Sequence, residues 1–134
     1  MISDEQKETL IAAARAVRCH SYSPYSKYPV GVALFCEDGS IITGANVENA
    51  SYGLTCCAER AAVFAAVSQG KQQFTALALA TRDGGSPCGA CRQVLNEFNP
   101  KMLVIVVADD GACLESSLED LLPHAFGPYS VVEG

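Results

Sequence analysis

Residues 57–108 read CAERAAVFAAVSQGKQQFTALALATRDGGSPCGACRQVLNEFNPKMLVIVVA. Cys57 to Ser68 is alanine-rich and predicts a helix, closed by Gly70, a residue suited to the left-handed turn that ends helices. Phe74 to Thr81 is apolar and reads as a strand. Arg82 to Ser86 is a glycine-containing loop. Pro87 falls where proline is favoured, at a helix N-terminus, and the helix runs to about Phe98. Leu103 to Ala108 is a continuous apolar run of the kind found in buried strands. Strands separated by helices of this length imply right-handed crossovers and a sheet covered by helices.

Working outward, Ser3 with Gln6 makes a capping box, and Leu10, Ile11, Ala14 and Val17 line one face of a first helix. Ser21-Tyr22-Ser23-Pro24-Tyr25-Ser26 is a loop by composition. Val30–Cys36 and Ser40–Val47 read as strands, joined by the turn signal Glu37-Asp38-Gly39. Beyond residue 108, Asp109-Asp110-Gly111 is a turn, and Ser117 with Asp120 opens a short helix that stops at Pro123. The order is α-β-β-α-β-α-β with a short last helix, which predicts an α/β sandwich. The 134 residues suit a single domain over 1–134 with a real core.

Nearly half the residues are apolar, which argues against disorder. No apolar run approaches the roughly 20 residues of a membrane span. The acidic start, Met1-Ile2-Ser3-Asp4-Glu5, lacks the basic and apolar blocks of a secretion signal, so a cytoplasmic protein is expected. Formal net charge is −6 and the nine Lys and Arg are scattered. No basic patch is visible, which argues against a nucleic-acid partner. The seven cysteines are an odd number without a secretion signal, which speaks against a disulfide framework. Cys19, Cys36 and Cys113 read as small buried hydrophobes.

Three of the remaining four cysteines sit in two short segments, Cys57-Ala58-Glu59-Arg60 and Pro87-Cys88-Gly89-Ala90-Cys91-Arg92, and the fourth, Cys56, directly precedes the first. Both open helices. Thirty residues lie between Cys57 and Cys88, enough for a helix, a strand and a loop to bring the second helix back beside the first. Cys88 and Cys91 are i and i+3 and share one face of a helical turn. A helix N-terminus favours negative charge and so favours thiolates. Cys57 adds a third sulfur, and three protein ligands leave tetrahedral zinc a position for water, the mark of a catalytic site. Glu59 is not needed as a ligand and is free to move protons. Each feature alone is weak. A lone Cys-x-x-Cys suits a redox pair or half a structural zinc site, for which Cys56, Cys113, His20 and His124 are candidate fourth ligands, and a lone Glu is usually solvated. The combination and its spacing raise the catalytic reading above these.

Zinc nucleobase deaminases carry a His- or Cys-x-Glu segment followed by Pro-Cys-x-x-Cys. Over nearly its whole length the sequence resembles the small, three-cysteine cytidine deaminases of nucleoside salvage. The resemblance rests on residues 22–31 (YSPYSKYPVG), 44–52 (GANVENASY) and 121–128 (LLPHAFGP) as well as on the zinc motif. It implies a three-layer α/β/α sandwich with a mixed sheet of about five strands. It also implies hydrolytic deamination of cytidine and deoxycytidine to uridine and deoxyuridine, with zinc-bound hydroxide attacking C4 and Glu59 as proton shuttle.

Residue by residue, the resemblance makes Cys57, Cys88 and Cys91 the ligands of one Zn²⁺ per subunit. Cys57, not Cys56, holds the register two before the glutamate. Arg60 matches an arginine that donates to the ligand sulfurs and offsets their charge; Arg92 is a second cation nearby, its alternative being a surface salt bridge. Backbone groups of Ala58 and Ser86 would touch the base. Asn46 and Glu48, i and i+2 near a strand end, match a pair that binds the ribose, and a carboxylate there disfavours a 5′-phosphate. Tyr28 stands where the family usually has Phe, packed beside sugar and base, and its added hydroxyl needs a partner. Tyr52 and Phe126 resemble residues that reach a neighbouring subunit's pocket, so the implied assembly is a homotetramer. The 82–86 loop is short for the family. Blasticidin S deaminase is the nearest rival; a polynucleotide-editing deaminase, a non-enzymatic zinc scaffold and a thiol redox protein are weaker ones.

Overall fold

The computed structural model describes residues 2–132. Helix α1 (Asp4–Val17) begins at the expected capping box: Ser3 Oγ accepts from Gln6 N, and Gln6 Oε1 from Ser3 N. Strands β1 (Gly31–Cys36) and β2 (Ile41–Ala45) follow, then α2 (Ala58–Ser68), β3 (Phe74–Ala80), α3 (Gly89–Phe98) and β4 (Leu103–Val107). Strand β5 (Cys113–Ser117) and the short helices α4 (Leu118–Leu121) and α5 (Pro128–Val132) complete the order.

The five strands form one mixed sheet in the order β2-β1-β3-β4-β5. β3 and β4 are parallel, and the other neighbours are antiparallel. Side chains alternate across the sheet as the pleat requires. Val32, Leu34, Leu77, Leu79, Val104 and Val106 pack toward α2 and α3. Ala33, Ala76, Ala78 and Ala80 pack toward α1. Small residues on that face let α1 lie close: a Cβ on Gly31 would stand 2.1 Å from Ala14 O. With helices on both faces, the expected α/β/α sandwich with a mixed five-stranded sheet is observed.

Three local expectations are corrected. The strand expected over 40–47 stops at Ala45, because the chain leaves β1 there and Val47 bridges Cys56 and Tyr22 instead. The residue-by-residue reading missed β5, an exposed edge strand (Cys-Leu-Glu-Ser-Ser) without the apolar alternation of a half-buried one. Of the three cysteines read as buried, only Cys36 is; Cys19 lies on a turn after α1 and Cys113 on the edge strand, both exposed.

Candidate metal centre and active site

The centre is built where two helices begin. Cys57 and Cys88 are the N-cap residues of α2 and α3, both with extended backbone. Cys91 lies one turn into α3 and is buried. The carboxyl end of β3 feeds the loop to α3, and α2 packs on the same face of the sheet. The two helix starts therefore meet beside the end of the parallel pair β3–β4, where open α/β sheets form clefts.

The ligand atoms of Cys57, Cys88 and Cys91 lie within 4.8 Å of one another. Cys57 and Cys88 sulfurs are 4.0 Å apart, and those of Cys88 and Cys91 are 3.4 Å apart. Tetrahedral zinc with Zn–S of about 2.3 Å needs sulfurs about 3.8 Å apart, so the trio fits that metal. Thiolate ligands select zinc over hard cations such as magnesium or calcium. The Cys91 thiol, hydrogen-bonded to Cys57, holds the Cys57 thiol below its ordinary range, and Arg60 adds to this against burial. The same contact, with burial, pushes Cys91 up. Charging all three thiols together therefore calls for a cation.

Arg60 supports the sulfurs directly. Its Nη2 donates to Cys57 Sγ at 3.4 Å. Its Nε is buried and has no hydrogen-bond partner among the described residues. Glu59 is 4% exposed on the first turn of α2. Burial raises its carboxyl to about 7, and the neighbouring Cys57 charge adds to this while Arg60 opposes it. A carboxyl in that range both takes and gives protons near neutrality.

A cleft of about 420 Å³ opens onto the centre. Tyr28, Asn46, Glu48, Ala58, Glu59 and Ser86 all line it, together with Cys57 and Cys88. Asn46 and Glu48 face it as an i, i+2 pair, with Val47 exposed between them. Both are also anchored. Asn46 Oδ1 accepts from Val30 N at 2.9 Å, and its Nδ2 donates to Tyr28 O at 2.9 Å. Glu48 Oε1 accepts from Tyr25 N at 3.0 Å and Ser26 N at 3.1 Å, and Oε2 accepts from Ser26 Oγ. The hydrogen bond from Ser26 Oγ holds the Glu48 carboxyl below its usual range, so it is an anion at neutral pH.

Other residues fall elsewhere. Tyr52 and Phe126 are 77% and 63% exposed and do not line this cleft within the chain. Among the described residues Arg92 serves neither the sulfurs nor a salt bridge: it donates to Pro87 O, Leu121 O and Ser86 Oγ, clamping the backbone around the start of α3. Cys56 lines the cleft but stands outside the sulfur cluster. Sequence reasoning missed Thr81 and Asp83. Thr81 Oγ1 accepts from Gly84 N at 2.8 Å and Gly85 N at 3.1 Å, and Asp83 accepts from the Tyr28 hydroxyl. The run Thr81-Arg82-Asp83-Gly84-Gly85 is a turn signal that could have pointed to the first contact.

The sequence model described as the cytidine and deoxycytidylate deaminase zinc-binding region matches residues 4–107. The chain is similar to the cytidine deaminase of Sporosarcina psychrophila, 50% identical over 122 residues that cover 89% of this chain and 90% of that one. It is 46% identical over 123 residues to that of Halalkalibacterium halodurans, covering 90% and 93%. The crystal structure of cytidine deaminase from Burkholderia pseudomallei superposes with a TM-score of 0.87 at 43% identity, covering 93% of this chain and all of that one.

Proposed function

The chain belongs to the zinc-binding cytidine and deoxycytidylate deaminase family, a family of hydrolases, and on that premise we propose that it deaminates free cytidine and deoxycytidine to uridine and deoxyuridine in pyrimidine salvage. The observation that carries this reading is the convergence of Cys57, Cys88 and Cys91 beside a buried Glu59 on one cleft.

Cys57, Cys88 and Cys91 would hold one zinc ion per subunit, and zinc bound there would supply an acidified water, with a pKa of about 7 rather than about 16. The protein's own groups do the rest. Glu59 is placed to take a proton from the attacking water and deliver it to N3 of the cytosine ring as oxygen adds to C4. It then carries the second proton to the exocyclic nitrogen, which leaves as ammonia. The water's oxygen stays on C4, one of its protons stays on N3 and the other departs with nitrogen. Arg60 donates to sulfur and draws charge from the thiolates, which keeps the water acidic despite three anionic ligands.

Backbone groups of Ala58 and Ser86 orient the base, and the Tyr28 ring packs beside base and sugar. Asn46 offers the ribose its second Nδ2 hydrogen, and Glu48 accepts from a sugar hydroxyl. The Glu48 charge disfavours nucleotides by repelling a 5′-phosphate. Residues 1–134 act as one domain, and the working unit is a cytoplasmic homotetramer without a nucleic-acid partner. The exposure of Tyr52 and Phe126 supports that assembly, in which each reaches a neighbour's pocket. Among the described residues no helix is long and apolar enough to cross a membrane.

The test is ammonia release from cytidine, deoxycytidine, CMP and blasticidin S, with Glu59→Ala beside the unaltered protein. The two nucleosides are expected to turn over rapidly and CMP slowly. Glu59→Ala is expected to keep its zinc and lose at least the roughly 10²–10⁴-fold of a general acid–base. Near-normal turnover in that variant, or no turnover of either nucleoside by zinc-loaded protein, would overturn the reading.

A further inference from the structure

One wall of the cleft is held by contacts that the deamination chemistry does not use. The Tyr28 hydroxyl donates to Asp83 Oδ1, 55 residues along the chain. The Arg82 guanidinium carbon stands 4.8 Å from the centre of the Tyr28 ring, and Arg82 Nη1 donates to Lys27 O at 2.8 Å. Asp83 Oδ1 also accepts from Gly85 N at 3.3 Å. A Cβ on Gly85 would stand 2.8 Å from Tyr28 Oη, so the loop backbone rests directly on the hydroxyl. At its far end the loop is clamped by Arg92, through Ser86 Oγ at 3.0 Å and Pro87 O at 2.8 Å. Between the two anchors lie Gly84 and Gly85; Gly85 and the anchored Ser86 are both in the cleft wall, and just beyond them is Cys88.

We propose that the Tyr28 hydroxyl and Asp83 form a latch that positions the 82–86 loop, making both of them positioning residues for substrate binding. A segment with two adjacent glycines has many conformations to lose. If it were ordered only when substrate arrived, that loss would be charged against affinity. The latch orders it beforehand, alongside Thr81 Oγ1, which accepts from Gly84 N and Gly85 N. Its hydrogen bond runs to an ionised carboxylate, the stronger kind, and Arg82 against the ring adds a cation–π contact. The kinetic consequence rests on the deaminase reading above; the ordering of the loop does not.

Two measurements test it, on the full-length zinc-loaded protein. The first is hydrogen exchange at Gly84, Gly85 and Ser86. Tyr28→Phe, which keeps the ring, and Asp83→Ala are both expected to speed exchange at these amides while those of α1 and β3 stay protected. The second is the split between KM and kcat for cytidine. Each variant is expected to raise KM about tenfold, equivalent to about 1.4 kcal/mol, with the change concentrated in KM. The double variant should be no worse than the worse single one, because both remove the same contact. Asp83→Asn keeps an acceptor at Oδ1 and is expected to lie nearer the unaltered protein. Unchanged exchange at 84–86 in both variants, or KM effects that simply multiply, would overturn the latch. If the unaltered protein deaminates no nucleoside, the deaminase reading fails and the exchange result alone decides the latch.

Discussion

Cys57 and Cys88 occupy N-cap positions, where Ser, Thr, Asp or Asn would normally accept a helical N–H, and neither makes a side-chain cap bond. Leaving both caps unmade costs about 1 kcal/mol each. The same position aims each sulfur off the helix end, at the positive pole of the helix dipole, which stabilises a thiolate. Local stability is given up where the chemistry needs it. Arg60 then carries a specific burden. Arg60→Ala is expected to keep all three sulfurs but to lose about 10–100-fold in zinc affinity or turnover, as other changes behind metal ligands do. Competition against a chromophoric chelator measures the first, and an affinity equal to that of the unaltered protein, with equal turnover, would show that the guanidinium does not serve the thiolates. The three clustered cysteines and Glu59 were legible as residue types at a spacing. The burial of Glu59 was not, because a glutamate on a helix is solvated unless something else covers it.

The position of α2 depends on how closely it can approach β2. A Cβ on Gly44 would stand 2.5 Å from Ala62 N and 2.6 Å from Ala58 O, both backbone atoms that cannot turn aside. Gly44→Ala must therefore push α2 off the sheet, with an expected cost of about 1–3 kcal/mol as for other overpacked sites. Thermal unfolding should show a midpoint lower by several degrees. Because α2 carries Cys57 and Glu59, zinc content per chain is expected to fall as well. An unchanged midpoint and full zinc would mean that the helix has room the contacts do not show. Most elements were legible because their pattern is strong: α1 from Leu10 and Ala14, β3 from a largely apolar run and β4 from an unbroken one. Edges were less so. β5 is polar because it is covered on few sides, and β2 ends early because Val47 finds partners outside the main sheet.

The assembled chain leaves Tyr52, Leu54, Phe64, Phe126 and Tyr129 largely exposed. Isolated apolar residues on a surface are ordinary, but aromatic groups in this number suit contacts between subunits. Light scattering is expected to find tetramers, and activity per chain should fall on dilution below the assembly constant. A fully active monomer would contradict the proposed contribution of Tyr52 and Phe126 across subunits. The elements from α1 to β4, their order and the cysteine trio that clusters could be read from the chain alone, since periodicity, turn chemistry and residue spacing are properties of neighbours in sequence. The strand order β2-β1-β3-β4-β5 could not, and it is what brings the starts of α2 and α3 to one cleft. The same folding buries Glu59, commits Asn46 and Glu48 to the 21–30 segment, and finds for the Tyr28 hydroxyl a partner 55 residues away. Those outcomes are sums over contacts distant in sequence, and no local pattern encodes them.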